Sequence, residues 1–182
     1  MTDKKVSISK FLSLILRHAP DTIGLTLDKN GWADVATLLE RAHAHGKRFT
    51  LEELREVVTS NEKQRFAFSE DGCSIRASQG HSLKSVDLEL APAQPPEILY
   101  HGTASRFVTA IRKEGLKAQS RQHVHLSEAR ATAVSVGTRY GVPVVLSIRA
   151  VQMTAQGHVF YRADNGVWLT DAVPLRFIDF PG

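Results

Sequence analysis

Residues 50–77 read TLEELREVVTSNEKQRFAFSEDGCSIRA, and the spacing of the apolar side chains changes halfway along this stretch. A capping box at Thr50–Glu53 predicts the start of a helix. The apolar residues that would face the core follow at helical spacing: Leu51, Leu54, Val57 and Val58. After this helix the apolar period becomes two. Residues 65–68 and 74–77 flank the turn residues 70–72, which predicts a β-hairpin.

Two further helices are predicted upstream of this stretch. Apolar residues at helical spacing run through Ser7–His18, and Pro20 ends that pattern. Asp34 is the predicted N-cap of a second helix, which Gly46 closes. The inward-facing residues of this second helix are Val35, Leu38, Leu39 and Ala42. Three short helices followed by a hairpin resemble a winged-helix module, a fold that usually binds nucleic acid but also serves in protein interactions.

The second half of the chain has a different pattern. Residues 87–97 contain three prolines and no apolar period, which predicts a stiff extended linker. Strands are predicted beyond it over residues 98–101, 124–126, 144–148, 159–161 and 167–169, with 175–180 closing the sheet. Helices are predicted over residues 107–114 and 129–136, the second of them capped by Ser127. The predicted class is therefore α+β: a lobe over residues 1–88, a linker over 89–97 and a mixed α/β lobe over 98–182.

Composition places the chain among ordinary globular proteins. Hydrophobic residues make up 42% of its 182 positions and charged residues 23%, which excludes a wholly disordered or fibrous chain. No apolar run approaches the roughly 20 residues of a membrane helix. With no secretory signal in the sequence, we expect a soluble, cytoplasmic monomer. The net charge of +4 is consistent with an anionic partner such as nucleic acid or a nucleotide. It is equally typical of an ordinary basic protein that has no such partner.

Several common chemistries lack their motifs in this sequence. It contains no phosphate-binding P-loop, no dinucleotide Gly-x-Gly-x-x-Gly after a strand and no Gly-x-Ser-x-Gly elbow. Cys73 is the only cysteine, so neither an internal disulfide nor a cysteine-rich zinc site is expected. His123 and His125 would share one face of a strand, but no carboxylate-rich partner motif completes a site around them, and no metal is expected.

Cationic and polar side chains are instead concentrated in four segments: residues 16–20, 63–66, 75–82 and 120–127. In the first of them, Arg17 and His18 stand at a predicted helix C-terminus, where cations also complement the helix dipole without any catalytic role. A single arginine in such a segment lies more often on the surface than in a site. The interpretation therefore depends on the whole set of segments.

The set resembles the RNA 2′-phosphotransferase family, the tRNA 2′-phosphotransferases that use NAD. The resemblance covers nearly the whole chain, in one order, and no block is missing. The matching blocks are Leu-Arg-His-Ala-Pro (16–20), Gly-Trp (31–32), Arg-Phe (65–66), Ile-Arg-Ala-Ser-Gln-Gly-His-Ser (75–82), Leu-Tyr-His-Gly-Thr (99–103), His-Val-His-Leu-Ser (123–127), Gly-Thr-Arg-Tyr-Gly-Val-Pro-Val-Val-Leu (137–146) and Asn-Gly-Val-Trp-Leu-Thr (165–170).

The resemblance implies a winged-helix RNA lobe joined to an ADP-ribosyltransferase-type lobe that binds NAD as a co-substrate. It also implies a two-step reaction on RNA that carries an internal, tRNA-like 2′-phosphate. This phosphate first attacks C1″ of the nicotinamide ribose and expels nicotinamide. The ribose 2″-OH then attacks the phosphorus, which releases 2′-OH RNA and ADP-ribose 1″,2″-cyclic phosphate. The family's catalytic tetrad of three arginines and one histidine falls on Arg17, His18, Arg65 and Arg121.

Further site residues follow from the same resemblance. NAD contacts are implied for His101, Gly102, Thr103, Ser127 and Arg139, and RNA contacts on the wing for Arg76, Gln79, His81 and Ser82. Many ADP-ribosyltransferases hold the ribose 2″-OH with a glutamate on a late strand. Val167 takes that position here, which leaves the hydroxyl able to act as a nucleophile. Three aromatic residues are expected in the core rather than stacked on NAD: Phe160, Tyr161 and Trp168.

Two alternatives stay open. A general ADP-ribosyltransferase would stop after the first step and leave ADP-ribose on a nucleic-acid phosphate or on a protein. A non-enzymatic winged-helix regulator would have no use for His101–Thr103. The main interpretation also predicts that Arg17, Arg65 and Arg121 converge on one basic cleft, because clustered guanidiniums need an anion to offset their repulsion.

Overall fold

The computed structural model describes residues 2–182, and the chain divides into two compact units. The first unit ends at Glu89 and the second begins at Leu90. Both are mixed α/β structures, and each has its own hydrophobic core. Among residues 2–182, no helix combines the length and the apolar composition that crossing a bilayer requires.

Helices and a small sheet make up the described part of the first unit. Its helices are α1 (Asp3–Arg17), α2 (Val35–Ala44) and α3 (Leu51–Thr59), with a 3-10 helix at Pro20–Ile23. Its strands are β1 (Ala33–Asp34), β2 (Phe66–Phe68) and β3 (Ser74–Ala77). The strands are antiparallel in the order β1-β3-β2, with Phe66 opposite Ala77. This confirms the predicted hairpin.

Local capping signals set the helix starts in this unit. The Asp34 carboxylate accepts a hydrogen bond from the backbone N–H of Thr37 at 2.8 Å. Thr50 and Glu53 form the reciprocal capping box that the sequence predicts. The apolar helix faces and the hairpin share one core, whose fully buried side chains include Leu12, Leu38, Leu54 and Ile75.

The second unit is richer in strands. Its helices are α4 (Ser105–Glu114), α5 (Arg130–Thr138) and α6 (Ala150–Ala155), with a 3-10 helix at Leu175–Phe177. Its strands are β4 (Ile98–Ala104), β5 (Leu116–Lys117), β6 (Val124–Leu126), β7 (Pro143–Arg149), β8 (Tyr161–Arg162), β9 (Trp168–Thr170), β10 (Ala172–Val173) and β11 (Ile178–Asp179).

These strands pair antiparallel in small sheets, in the orders β11-β7-β4, β6-β9-β8 and β10-β5. The longest pairing joins β4 to β7, with His101 opposite Leu146. A backbone bridge between Tyr100 and Ser127 links β4 to the end of β6. Phe160 and Trp168 are buried in the core of this unit, as expected, whereas Tyr161 is only half-buried and is not part of that core.

Two predictions about the second unit need correction, and one helix of this unit was not predicted. Ser127 does not cap α5: its backbone N–H and C=O are used in the bridge to Tyr100, and Ala129 is the N-cap, without a side-chain hydrogen bond. Residues 175–180 begin as a 3-10 helix, so only β11 joins the sheet. Helix α6 follows β7 directly. Its N-cap residue, Arg149, makes no side-chain hydrogen bond to the helix, so no local capping signal indicates where the helix starts.

The proline-rich segment from Leu90 onward belongs to the second unit, and its backbone is hydrogen-bonded within that unit. The backbone N–H of Ala93 donates to the carbonyl of Phe160 at 2.8 Å, and Pro92 forms an isolated bridge with Tyr161. Ala93 also packs against the core of this unit. This part of the segment is therefore bound to the second unit.

Candidate functional site

The carboxyl end of α1 carries two of the predicted catalytic side chains. Arg17 is the last residue of the helix and is 8% exposed, and His18 follows it as the C-cap. Nδ1 of His18 lies 2.9 Å from the hydroxyl of Ser82. The backbone N–H of Ser82 donates to the Arg17 carbonyl at 3.0 Å. Ser82 therefore fixes both residues from a distant point of the sequence.

Arg65 stands just before β2, in a stretch whose backbone is tightly held. Its carbonyl accepts a hydrogen bond from the N–H of Ser78 at 2.9 Å. Gln64 has a φ of 41°, a left-handed conformation that non-glycine residues seldom adopt and that concentrates at functional sites. The Arg17 guanidinium carbon is 6.0 Å from the centre of the Phe66 ring. Arg17 therefore lies beside the strand that follows Arg65.

Arg76 lies on β3, where an aromatic ring holds its side chain. Its guanidinium carbon is 4.5 Å from the centre of the Trp32 ring, a cation–π distance. Trp32 belongs to the Gly-Trp block, for which the sequence suggested no role. In the structure, the ring of Trp32 orients the guanidinium group of Arg76.

Gln79 and His81, predicted on the wing, lie beyond the end of β3 and are buried. Their exposed fractions are 9% and 1%. No described residue hydrogen-bonds either ring nitrogen of His81. Burial lowers the pKa of this histidine from 6.5 to about 4, and three nearby cations add to the effect: Arg17, His18 and Arg76. Contact of these two residues with RNA stays a prediction.

Two guanidiniums, Arg17 and Arg76, and the protonatable imidazole of His18 lie within electrostatic range of His81 and identify a region of positive potential in the first unit. Such a region favours an anion. Guanidinium groups match phosphate oxygens with a planar fork that stays charged, so the ligand that suits this cluster best is a phosphate.

Because the pKa of His81 is low, we expect the free energy of unfolding of the protein to decrease as the pH is lowered below neutrality. Between the unfolded value of 6.5 and the folded value of about 4, the unfolded chain binds a proton here and the folded chain does not. Folding therefore becomes less favourable as the pH decreases through this window. From pH 7 to pH 5 the part of the loss that comes from His81 should be about 2 kcal/mol, measured by urea unfolding as the difference from a variant without this histidine.

The matched variants are His81→Leu and His45→Gln. Leucine cannot bind a proton, so His81→Leu should lose about 2 kcal/mol less than the wild type between the two pH values. His45 is exposed, and its variant should follow the wild type. Equal losses in wild type and His81→Leu would show that His81 does not titrate as its burial requires.

The second unit places His101 in the middle of β4. Its Nδ1–H donates to the backbone carbonyl of His125 at 2.9 Å. Burial lowers the pKa of His101, the hydrogen bond to His125 opposes this, and the charge of Arg121 lowers the pKa further. His101 is therefore neutral near pH 7, with Nε2 as a hydrogen-bond acceptor.

Arg121 lies close to the same histidines. Its Nη1–H donates to Nδ1 of His125 at 2.8 Å. The loop before it turns at Gln119, which has a left-handed φ of 57°, and the backbone N–H of Arg121 donates to the Ala118 carbonyl. Arg121 is exposed, so its guanidinium is accessible to a ligand.

Gly102 allows a helix to approach the strand closely, and its predicted contact with NAD stays a prediction. A Cβ at Gly102 would lie 1.8 Å from the carbonyl oxygen of Ala133 in α5. Gly137, also in α5, makes the reciprocal approach, since its Cβ would lie 2.4 Å from the Thr103 carbonyl. The His-Gly-Thr block is thus a packing site for α5 as well as the strand that carries His101.

Comparison with known proteins identifies the family. Residues 3–172 match the model of the RNA 2′-phosphotransferase, Tpt1 / KptA family. The chain belongs to this family. A "Probable RNA 2′-phosphotransferase" of Agrobacterium fabrum is 58% identical over 170 residues, covering 93% of this chain and 91% of the relative. Proteins with the same description from Flavobacterium johnsoniae and Pectobacterium carotovorum are 56% and 53% identical, with 96% and 97% of this chain and 95% of each relative covered.

Membership of the RNA 2′-phosphotransferase family confirms the resemblance found in the sequence and shows that the chain is a transferase. The structure brings Arg17, His18 and Arg76 together in the first unit, and His101 and Arg121 together in the second. The convergence of Arg121 with Arg17 and Arg65 stays a prediction.

The remaining residues predicted to bind NAD lie in different surroundings. Thr103 is buried, Ser127 is half-buried at the bridge to β4, and Arg139 is exposed at the end of α5. Their contact with NAD stays a prediction. Val167 is half-buried in the turn before β9.

His125 belongs to the site in the second unit, although the sequence does not assign it there. In the sequence, His125 stands out only as a candidate metal ligand beside His123. In the structure, His125 contacts Arg121 and His101, whereas His123 faces Asp171 with an Nε2–Oδ1 distance of 3.8 Å. Among residues 2–182, no group of three or more metal-ligating side chains is present. The alternation of β6, which buries Val124 and Leu126, was the signal that His125 points away from the core.

Proposed function

We propose that the protein removes an internal 2′-phosphate from RNA by transferring it to NAD. The observation that carries this proposal is the group of cations around His81, in a chain of the RNA 2′-phosphotransferase family. A phosphate monoester carries close to two negative charges, and Arg17 and Arg76 offer the guanidinium groups that suit it. His18, held by Ser82, supplies a group that can carry a proton.

We infer that the two units are a winged-helix lobe and an ADP-ribosyltransferase-type lobe. The order α1-β1-α2-α3-β2-β3, with all three strands in one antiparallel sheet, supports the first assignment. The mixed, strand-rich second unit, with His101–Thr103 on its longest strand pair, supports the second. The lobe assignments predict RNA binding by the first unit and NAD binding by the second.

The first step joins the RNA phosphate to the ribose. A 2′-phosphate oxygen forms a bond to C1″ while the bond from C1″ to the nicotinamide nitrogen breaks and its electron pair leaves with nicotinamide. Because nicotinamide departs as a neutral molecule, no general acid is needed. The protein contributes alignment, which can be worth several kcal/mol.

The second step makes greater electrostatic demands. The ribose 2″-oxygen bonds to phosphorus, the bond from phosphorus to the RNA 2′-oxygen breaks, and the proton of the 2″-hydroxyl must be removed while the RNA oxygen gains one. Charge accumulates on the phosphoryl oxygens, which guanidiniums stabilise. We propose that Arg17, Arg65 and Arg121 serve this step. His18 protonates the departing RNA oxygen or orients the phosphate.

The residues of the second unit fit NAD as co-substrate. His101 is neutral and presents Nε2 as an acceptor, which suits a ribose hydroxyl donor. Val167 carries no acceptor, so it would leave the nicotinamide ribose 2″-OH able to react in the second step. These features support NAD as the phosphate acceptor.

RNA binding should rest on phosphate contacts. The cations of the first unit neutralise phosphates, so affinity should decrease with added salt and depend little on base sequence. The 2′-phosphate itself would then supply the selectivity.

Product analysis tests the function. The protein is incubated with NAD and an oligonucleotide that carries one internal 2′-phosphate, and the products are separated by gel and by mass spectrometry. We expect 2′-OH RNA, nicotinamide and ADP-ribose 1″,2″-cyclic phosphate. An oligonucleotide without the 2′-phosphate is the control. A stable ADP-ribosylated RNA would indicate the general ADP-ribosyltransferase, and the absence of any reaction would indicate a binding protein.

A further inference from the structure

We infer that His125 is the positioning residue of the site in the second unit: its side chain orients the Arg121 guanidinium while its backbone carbonyl orients His101. The observation is a chain of two hydrogen bonds. Arg121 Nη1–H donates to His125 Nδ1 at 2.8 Å, and His101 Nδ1–H donates to the His125 carbonyl at 2.9 Å. One residue thus touches a predicted catalytic cation and a predicted NAD ligand. The inference rests on the proposed function, in which those two residues act.

The strand gives His125 this position. In β6 the side chains of Val124 and Leu126 enter the core, with exposed fractions of 3% and 1%. Successive side chains of a strand point to opposite faces, so His125 is directed away from the core. In the neighbouring strand β9, Leu169 lies opposite His125, and this pairing holds β6 in register. Rigid strand positions are better suited than loops to fixing a functional side chain.

Arginine determines the tautomer of this histidine. A guanidinium has donors only, so Nδ1 of His125 must accept, and the ring proton of the neutral imidazole lies on Nε2. An arginine in an exposed loop loses considerable rotamer entropy when it is held still. A hydrogen bond already present before substrate binds reduces that loss when the guanidinium engages a phosphate.

The two contacts of His125 can be separated by mutation. Replacing the side chain removes the acceptor for Arg121 but leaves the backbone carbonyl that orients His101. If His125 acts by positioning Arg121, replacing its side chain should slow the second step, in which the ribose 2″-oxygen attacks phosphorus. The use of NAD should be retained. Asparagine places an amide oxygen close to where Nδ1 stands, so it can accept the same bond, whereas glutamine displaces the amide by one methylene.

The kinetic test compares His125→Ala, His125→Asn and His125→Gln with the wild type. In single-turnover reactions, His125→Ala and His125→Gln should clear ADP-ribosylated RNA about tenfold more slowly, with the KM for NAD unchanged. His125→Asn should recover most of the loss. In an Arg121→Ala background, His125→Ala should have no further effect, because the interaction is already absent.

A spectroscopic test does not depend on activity. The 15N shifts of the His125 imidazole should report the Nε2–H tautomer in the wild type, and Arg121→Ala should abolish that preference. If the wild type makes no cyclic phosphate, the proposed function fails and this measurement alone decides on the orientation of Arg121. Additive losses in the double variant, an increased KM for NAD in His125→Ala, a His125→Asn no better than His125→Ala, or an unchanged tautomer in Arg121→Ala would each overturn the inference.

Discussion

Replacing Arg17, His18 or Arg121 with alanine is expected to make the protein accumulate ADP-ribosylated RNA. In the proposed reaction, the first step discharges a neutral leaving group, whereas the second passes through a more highly charged, phosphorane-like state. Losing one charge-assisted contact in such a state costs on the order of 3 kcal/mol, which corresponds to a hundredfold slower second step. On a denaturing gel, the 2′-phospho-ADP-ribosylated RNA should persist as a slower band that the wild type clears.

Two controls make this result specific. Arg55→Ala removes an exposed arginine of α3 outside the cluster and should clear the band at the wild-type rate. His101→Ala should weaken NAD use and slow the first step without accumulating the band, because His101 is a proposed NAD contact. If the Arg17, His18 and Arg121 variants lose all reactivity without an intermediate, these residues do not act mainly in the second step. A role in phosphate binding would survive that outcome.

The parts of the fold that the sequence predicts well are those that local chemistry determines. The capping box at Thr50–Glu53 needs only residues three positions apart, and α3 begins where it predicts. Asp34 caps α2 through the same kind of local bond. The turn at residues 70–72 joins strands that are neighbours along the chain. In each case the stabilising contact lies within a few residues of the signal.

The errors arise where a distant partner decides. Ser127 has the side chain of an N-cap, but the backbone of Tyr100 binds it instead, and α5 begins three residues later. Strand β1 has only two residues and exists because β3 pairs with it. Neither partner can be identified from the residues around it.

The candidate site shows the same division. The resemblance to the family assigns the tetrad Arg17, His18, Arg65 and Arg121 from the order of matching motifs along the sequence. The residues that hold them in place belong to other blocks. Ser82 binds the end of α1, and His125 binds Arg121, through contacts that only the folded chain creates.

Gly102→Ala is expected to destabilise the second unit severely. The new methyl carbon would lie 1.8 Å from the Ala133 carbonyl oxygen, far inside van der Waals contact, and that oxygen belongs to the backbone of α5. The helix must move away from β4, which breaks the matching approach of Gly137 to Thr103. Overpacking at a backbone contact of this kind should cost about 3 kcal/mol, measured by urea unfolding.

Gly46→Ala is the matched control for this substitution. A Cβ at Gly46 would meet nothing within 4 Å, but its φ of 79° disfavours alanine, so the cost should be about 1 kcal/mol from backbone strain alone. Because Gly102 lies between His101 and Thr103, which are proposed NAD contacts, its variant should also lose the proposed NAD binding in proportion to the displacement of β4. A Gly102→Ala protein as stable as Gly46→Ala would show that α5 does not pack this closely on the strand.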